Sequence, residues 1–143
     1  MLKFLVPVDG SDSSLRAMEQ LSGKIGWFKE PVEIHLVNVQ PPVPYGGRVS
    51  SVVGRDKLDQ YHQEEGMAAL KPAMQKLDAA RLKYHHHILV GDSAEEICRY
   101  AKDKGVDQIL MGTRGLGKVS GLVLGSVATK VVHLSPVPVL LVK

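Results

Sequence analysis

The sequence predicts an α/β fold built on a parallel sheet, and three observations carry that prediction. Short apolar, β-rich runs recur along the chain, at residues 2–8, 32–39, 83–90, 108–111 and 139–142. The segments between them repeat their apolar residues at helical spacing, so strands alternate with helices in the order a parallel sheet needs. The first run is apolar through its centre rather than alternating, the mark of a strand covered by helices on both faces.

Each element has its own local reasons. Residues 2–8 form the first strand, with Pro7 near the end, where a missing donor costs least. Asp9-Gly10-Ser11-Asp12-Ser13-Ser14 is a turn crowded with capping residues. Leu15, Met18, Leu21 and Ile25 then mark one face of a helix, with Gly26 as its stop. The second strand, 32–39, has Ile34, Leu36 and Val37 as its apolar content, and residues 40–47 (QPPVPYGG) suit neither a helix nor a central strand. A helical pattern over 55–82 has Leu58, Tyr61, Leu70, Met74 and Leu77 as inward candidates, and Pro72 inside it predicts a kink or a break. The third strand, 83–90, stops at Gly91. Ser93-Ala94-Glu95-Glu96 reads as a capping box, opening a helix through Ile97 and Ala101 that ends near Gly105. The fourth strand, 108–111, leads into a glycine stretch. A last helix follows Ser126, with Val127, Val131 and Leu134 at spacings that share one face. Pro136-Val137-Pro138 ends it before the fifth strand.

The 143 residues suit one domain spanning 1–143, without internal repeats or low-complexity tracts. A net charge of +3, with no dense Lys/Arg block and no interleaved aromatics, argues against a nucleic-acid partner. Cys98 is the only cysteine, which excludes an internal disulfide; inside a helical pattern it reads as a buried, inert thiol. No apolar run is long enough for a membrane span or a signal-peptide core, so a cytoplasmic location is expected by elimination.

Ligands of parallel α/β sheets bind beyond the carboxyl ends of the strands. That rule brings the Asp9 turn, the loop after Val39 and the loop after Gly112 to one edge. The last of these has glycines at 112, 115, 117, 121 and 125, and Ser126 then opens a helix. Glycines admit backbone N–H groups close to oxygen atoms, and a helix start adds unpaired donors and a positive dipole end, so the stretch is a phosphate cradle in outline. It is not a Walker loop: the G-x-x-x-x-G-K pattern holds through Lys118, but Val119 occupies the hydroxyl position that ligates Mg²⁺. The dinucleotide fingerprint fails as well, because Ser120 stands where its third glycine belongs.

One pattern fits. Gly112-x-x-Gly115, nine residues, then Gly125-Ser126 is the G-x-x-G-x9-G-[S/T] signature of nucleotide-binding universal stress proteins. The chain resembles that family throughout, in VPVDGSDSS, LVNV, VGDSAEEI and SPVPVLLV. The resemblance implies a Rossmann-like fold of the adenine-nucleotide alpha hydrolase-like type, with five parallel strands in the order 3-2-1-4-5 and helices on both faces. It implies ATP, or ADP or AMP, with Mg²⁺ as ligand, and a homodimer formed through the last strand. By the same resemblance Asp9 lies near the nucleotide and its metal, and the Val39 backbone meets adenine. Met111, Gly112, Arg114 and Gly115 hold ribose and phosphate, while Gly125, Ser126 and Val127 take the outer phosphates. Lys118 falls in the intervening nine residues and is not part of the site. Asn38 departs from the His common in relatives, and its side chain is expected to matter little.

Competing readings accompany these. Asp9 also suits a cap for the first helix, a role Ser11 or Asp12 fills equally well. His85, His86 and His87 read as a solvated or edge strand, with His85 and His87 on one face and no Cys or carboxylate at metal spacing beside them. His35 and His133 read as packing residues. Ser126 has no base near it in sequence, and no nucleophile–base pair is evident. The expected function is an ATP-binding switch of the stress response with little or no hydrolysis. The alternatives are a nucleotide-independent dimeric interaction module and a slow ATPase or adenylyl-transfer enzyme.

Overall fold

Phe4, Val6 and Val8 belong to one apolar cluster and Leu5 to another, and all four are buried. A strand buried on both faces has to sit inside a sheet. In the computed structural model, which describes residues 1–42, 54–115 and 124–143, β1 (Leu2–Pro7) lies between β2 (Val32–Gln40) and β4 (Gln108–Gly112). With β3 (Tyr84–Val90) and β5 (Val139–Val142) at the edges, the order is β3-β2-β1-β4-β5 and every pairing is parallel. This is the topology that the resemblance implied.

Helices cover both faces. On one side α1 (Asp12–Ser22) and α2 (Arg55–Ala79) place Ala17, Met18, Leu21, Leu70, Ala73 and Leu77 against Phe4, Val6, Ile34, Leu36 and Leu110. On the other, α3 (Ser93–Asp103) and α4 (Ser126–Leu134) place Ala94, Ile97, Ala101, Ala128 and Val131 against Leu5, Val37, Ile109 and Met111. Each fully buried Leu, Ile, Val or Met contributes about 1.5–3 kcal/mol, so these two layers are the main source of stability.

Several boundaries differ from the sequence expectation, each for a local reason. α1 stops at Ser22, where the Ser22 hydroxyl and the Gly23 N–H both bond the Glu19 carbonyl; Ile25 then belongs to a separate 3₁₀ turn, Ile25–Trp27. β2 continues through Gln40, past the expected Val39. α2 runs unbroken through Pro72. Pro72 and Ala68, whose carbonyl loses its donor, both lie on the exposed side, where water can replace the bond. The buried stripe of α2 is His62, Gly66, Leu70, Ala73 and Leu77; Tyr61, expected inward, is 52% exposed. Gly66 is where α2 meets β3, since a Cβ there would lie 2.7 Å from the Ile88 side chain. The helix ends three residues before the expected Leu82, in a Schellman closure without glycine. Arg81 takes φ 57° and donates to the Asp78 carbonyl, and Leu82 N–H donates to Leu77. α3 ends the same way with Gly105 at φ 63°. Its cap is Asp92 rather than Ser93: the Asp92 carboxylate accepts from Glu95 N–H at 3.1 Å. In α4 the buried face is Ala128 and Val131, while Val127 and Leu134 are exposed.

The Pro-rich stretch beyond Pro42, and Gly117, Lys118, Val119, Ser120 and Gly121, lie outside the described residues. No helix among the described residues is long and apolar enough to cross a membrane.

Candidate functional site

Three strand ends and one helix start meet at the carboxyl edge of the sheet. β1 delivers Pro7, Val8 and Asp9, β2 delivers Val37 and Val39, and β4 delivers Met111 and Gly112. α4 opens directly opposite. Together they line a cleft of about 220 Å³. All nine residues singled out in the sequence line it: Asp9, Val39, Met111, Gly112, Arg114, Gly115, Gly125, Ser126 and Val127. Ser14, Ser93, Ile97 and Ala128 complete the walls.

The two halves of the glycine pattern are physically joined. Gly125 N–H donates to the Thr113 carbonyl at 2.6 Å, and Thr113 N–H donates to Val142 at 3.0 Å, so the turn after β4 is pinned between α4 and β5. A Cβ on Gly125 would lie 3.3 Å from the Thr113 carbonyl oxygen and 3.4 Å from Arg114 Cα, within the close-contact range for a side chain. The requirement at Gly112 is stricter. A Cβ there would sit 2.2 Å from Ser13 Oγ and 2.7 Å from the Ser13 carbonyl carbon, so the end of β4 packs directly on the start of α1. Ser13 Oγ, buried between them, accepts weakly from Arg114 N–H at 3.4 Å.

The start of α4 and Arg114 are the site's two sources of positive potential. Gly125 is the N-cap of α4 and supplies no side-chain acceptor, so among the described residues no side chain takes up the first N–H groups. α1 and α3 differ: Ser11 caps Ser14 N–H, and Asp92 caps Glu95 N–H. An uncapped helix start at a cleft, with Ser126 as its first residue, suits an anion. Arg114 is exposed at the rim and makes no ion pair with a described residue.

Asp9 is not the cap of α1. Ser11 is the cap of α1, and Asp9 Oδ1 instead accepts from Ser11 N–H at 2.9 Å in a turn that Gly10 completes at φ 89°. Its other oxygen, Oδ2, lies 2.9 Å from where a Gly115 Cβ would be. One carboxylate oxygen is therefore held by the backbone while the other faces the glycine turn.

The Asn38 side chain, expected to matter little for an adenine contact made by backbone, has a structural role. It is 2% exposed, donates to the Val8 carbonyl at 2.8 Å and accepts from Gln40 Nε2 at 2.6 Å. It thus ties the end of β2 to the residue before Asp9. Cys98, behind the cleft wall, is buried, and burial pushes its thiol up from the ordinary range, which makes it a poor nucleophile.

The Val37, Ile97 and Ala128 walls were not singled out from the sequence because nothing separates them from ordinary core residues. Ser93 was within reach, since it follows the Asp92 cap that opens α3 toward this edge.

The sequence profile described as the universal stress protein family matches residues 1–143. The chain is 34% identical to "Universal stress protein MJ0531" of Methanocaldococcus jannaschii, over 99% of this chain and 81% of that protein. It is 32% identical to "Universal stress protein YxiE" of Bacillus subtilis, over 99% and 98%. Among solved structures it superposes on protein MJ0577 with a TM-score of 0.80 at 28% identity, covering 99% of this chain and 94% of that one. An Arabidopsis thaliana universal stress protein family protein, solved with AMP bound, superposes with a TM-score of 0.69 at 22% identity, over 100% and 92%. The Archaeoglobus fulgidus universal stress protein in complex with dAMP gives 0.63 at 20%, over 100% and 98%; at these two identities the likeness is one of fold.

Proposed function

The chain belongs to the universal stress protein family, and from that membership we propose that it binds an adenine nucleotide, ATP with Mg²⁺ foremost, in the carboxyl-edge cleft. The observation that carries this reading is the uncapped start of α4, tied by Gly125 to the Thr113–Gly115 turn and facing the cleft with Ser126. Such an arrangement holds phosphate oxygens through backbone N–H groups and a hydroxyl. Arg114 adds a charge-assisted contact. The apolar wall of Val37, Val39 and Ile97 suits a base. The Asp9 oxygen that faces the glycine turn is a hard donor of the kind Mg²⁺ takes alongside nucleotide phosphates. Family relatives solved with AMP and dAMP support adenine as the base.

We read the protein as a nucleotide-dependent switch of the stress response in the cytoplasm, not as an enzyme of ordinary turnover. Among the described cleft-lining residues Asp9 is the one acidic side chain and there is no histidine, and we assign the Asp9 carboxylate to Mg²⁺ rather than to the role of a general base. Dimerisation through β5 fits its place at the sheet edge, where Leu140 is 43% exposed. The same edge is what a nucleotide-independent interaction module would use. Equilibrium dialysis of ATP, ADP and AMP, with and without Mg²⁺, tests the reading. Saturable binding of one adenine nucleotide per chain is expected, with turnover below roughly 1 s⁻¹, the low end of ordinary enzymes. No binding at millimolar nucleotide leaves the interaction module as the function.

A further inference from the structure

The histidine run of β3 was read from the sequence without a carboxylate or a second element near it. The sheet supplies both. The register pairs His35 of β2 with His85 of β3, and Glu33 lies two residues before His35 on the same strand face. As a result Glu33, His35 and His85 place one ligand atom each within 4.8 Å of one another. His35 Nε2 is 2.6 Å from Glu33 Oε1, and His85 Nε2 is 3.7 Å from the same oxygen. The geometry points to a binding site for a zinc-class divalent metal ion at Glu33, His35 and His85, at the opposite end of β2 from the nucleotide cleft.

The donor set is two imidazoles and a carboxylate, a combination that borderline transition ions accept with one or more positions left to water. Ligands about 2.0–2.1 Å from a tetrahedral ion stand about 3.3 Å apart. The carboxylate-to-imidazole spacings here, 2.6 and 3.7 Å, bracket that value. His85 and Glu33 line an open groove with Tyr84 and His86, which gives an entry path and lets the exposed His85 ring adjust.

The outer shell is in place as well. His35 is buried, and its Nδ1 lies 2.6 Å from the Tyr100 hydroxyl on α3. A neutral hydroxyl can donate to Nδ1 while Nε2–H donates to Glu33. It can equally accept from Nδ1–H once Nε2 has released its proton and turned its lone pair to a metal. The metal-free and metal-bound forms therefore both keep Nδ1 satisfied. Lys3, in register with Glu33, is the nearest opposing charge from β1, and its ammonium is occupied by the Lys104 carbonyl at 3.2 Å.

The test uses the full-length chain without a histidine tag, stripped of metal and titrated with Zn²⁺ against a chromophoric chelator. One equivalent is expected. Glu33→Gln and His85→Ala are expected to weaken it by about 100-fold or more, beyond the roughly 10–100-fold of an outer-shell change such as Tyr100→Phe. His133→Ala, in the last turn of α4, and Asp9→Ala, at the nucleotide edge, are expected to leave it unchanged. Zinc should raise the melting temperature of the wild type and not that of His85→Ala. Uptake that is absent in the wild type, that survives in both Glu33→Gln and His85→Ala, or that is lost in Asp9→Ala overturns the assignment.

Discussion

Replacing Asn38 with alanine should cost far more stability than a polar-to-alanine change at a strand end usually does. The side chain is 2% exposed, and its amide is the partner of the buried Val8 carbonyl at 2.8 Å. Alanine leaves that carbonyl without its donor where water has little access. An orphaned buried acceptor costs about 1–3 kcal/mol, and the space vacated by the amide adds to it. Gln40, the other partner, is half-buried and can turn to water, so its loss is small. The sum is about 2–3 kcal/mol, or roughly 6–15 °C in Tm at the ~3–5 °C per kcal/mol expected for a chain of this size. Urea and thermal unfolding followed by circular dichroism measure it, with Gln40→Ala as the control, expected within about 0.5 kcal/mol of wild type. Asn38→Asp should be worse than alanine at neutral pH, since it sets a second acceptor against the Val8 carbonyl. A loss below about 0.5 kcal/mol for Asn38→Ala would show that the Val8 carbonyl finds another donor, and the argument for Asn38 would fail.

Other expectations follow from single contacts. Gly115→Ala adds a Cβ 2.9 Å from Asp9 Oδ2 and should displace that carboxylate. Mg²⁺-nucleotide affinity should drop by about tenfold, worth about 1.4 kcal/mol, with little change in Tm; equal affinity by calorimetry removes Asp9 from the site. Arg114→Gln should weaken ATP more than AMP and flatten the salt dependence of ATP binding, and a uniform loss for both would place Arg114 away from the outer phosphates. Asp92 is held below its ordinary pKa of 3.8 by the Glu95 backbone N–H and then by Lys130. A depressed carboxylate contributes stability above its unfolded pKa and loses it as pH falls through the folded one. Asp92→Ala should therefore lower Tm at neutral pH, with the gap to wild type closing below pH 3.8. A gap that stays constant on acidification would mean the cap does not act through its charge.

How far the sequence can be read depends on whether a feature is local. The strands were legible because runs such as Phe4-Leu5-Val6 bury both faces and admit one kind of position in a sheet. The cleft was legible because its glycines and Asp9 sit at strand ends, and parallel topology brings strand ends together. Helix ends were legible where glycine closes them, as at Gly105, and not where Arg81 takes the left-handed conformation in its place. At Pro72 the sequence left a kink or a break open, and only the fold shows that the helix continues and that the residue whose carbonyl it deprives lies on the exposed side. At α3 the chain offers Asp92 and Ser93 as caps one residue apart, and spacing alone does not choose between them. Asn38 and the Glu33–His35–His85 cluster depend on register: the first on where β2 stops beside Val8, the second on a pairing across fifty residues of sequence.

The central claim is that the start of α4 and the turn after β4 act together as a phosphate cradle, with Gly125 as the joint. Titration calorimetry of ATP with Mg²⁺ into wild type and Gly125→Val tests it, because a Cβ there already stands 3.3 Å from the Thr113 carbonyl oxygen and 3.4 Å from Arg114 Cα, and the valine methyls crowd that joint further. One nucleotide is expected per wild-type chain, and no measurable heat from a variant that retains the wild-type circular dichroism spectrum. A folded Gly125→Val that binds ATP as tightly as wild type would contradict it.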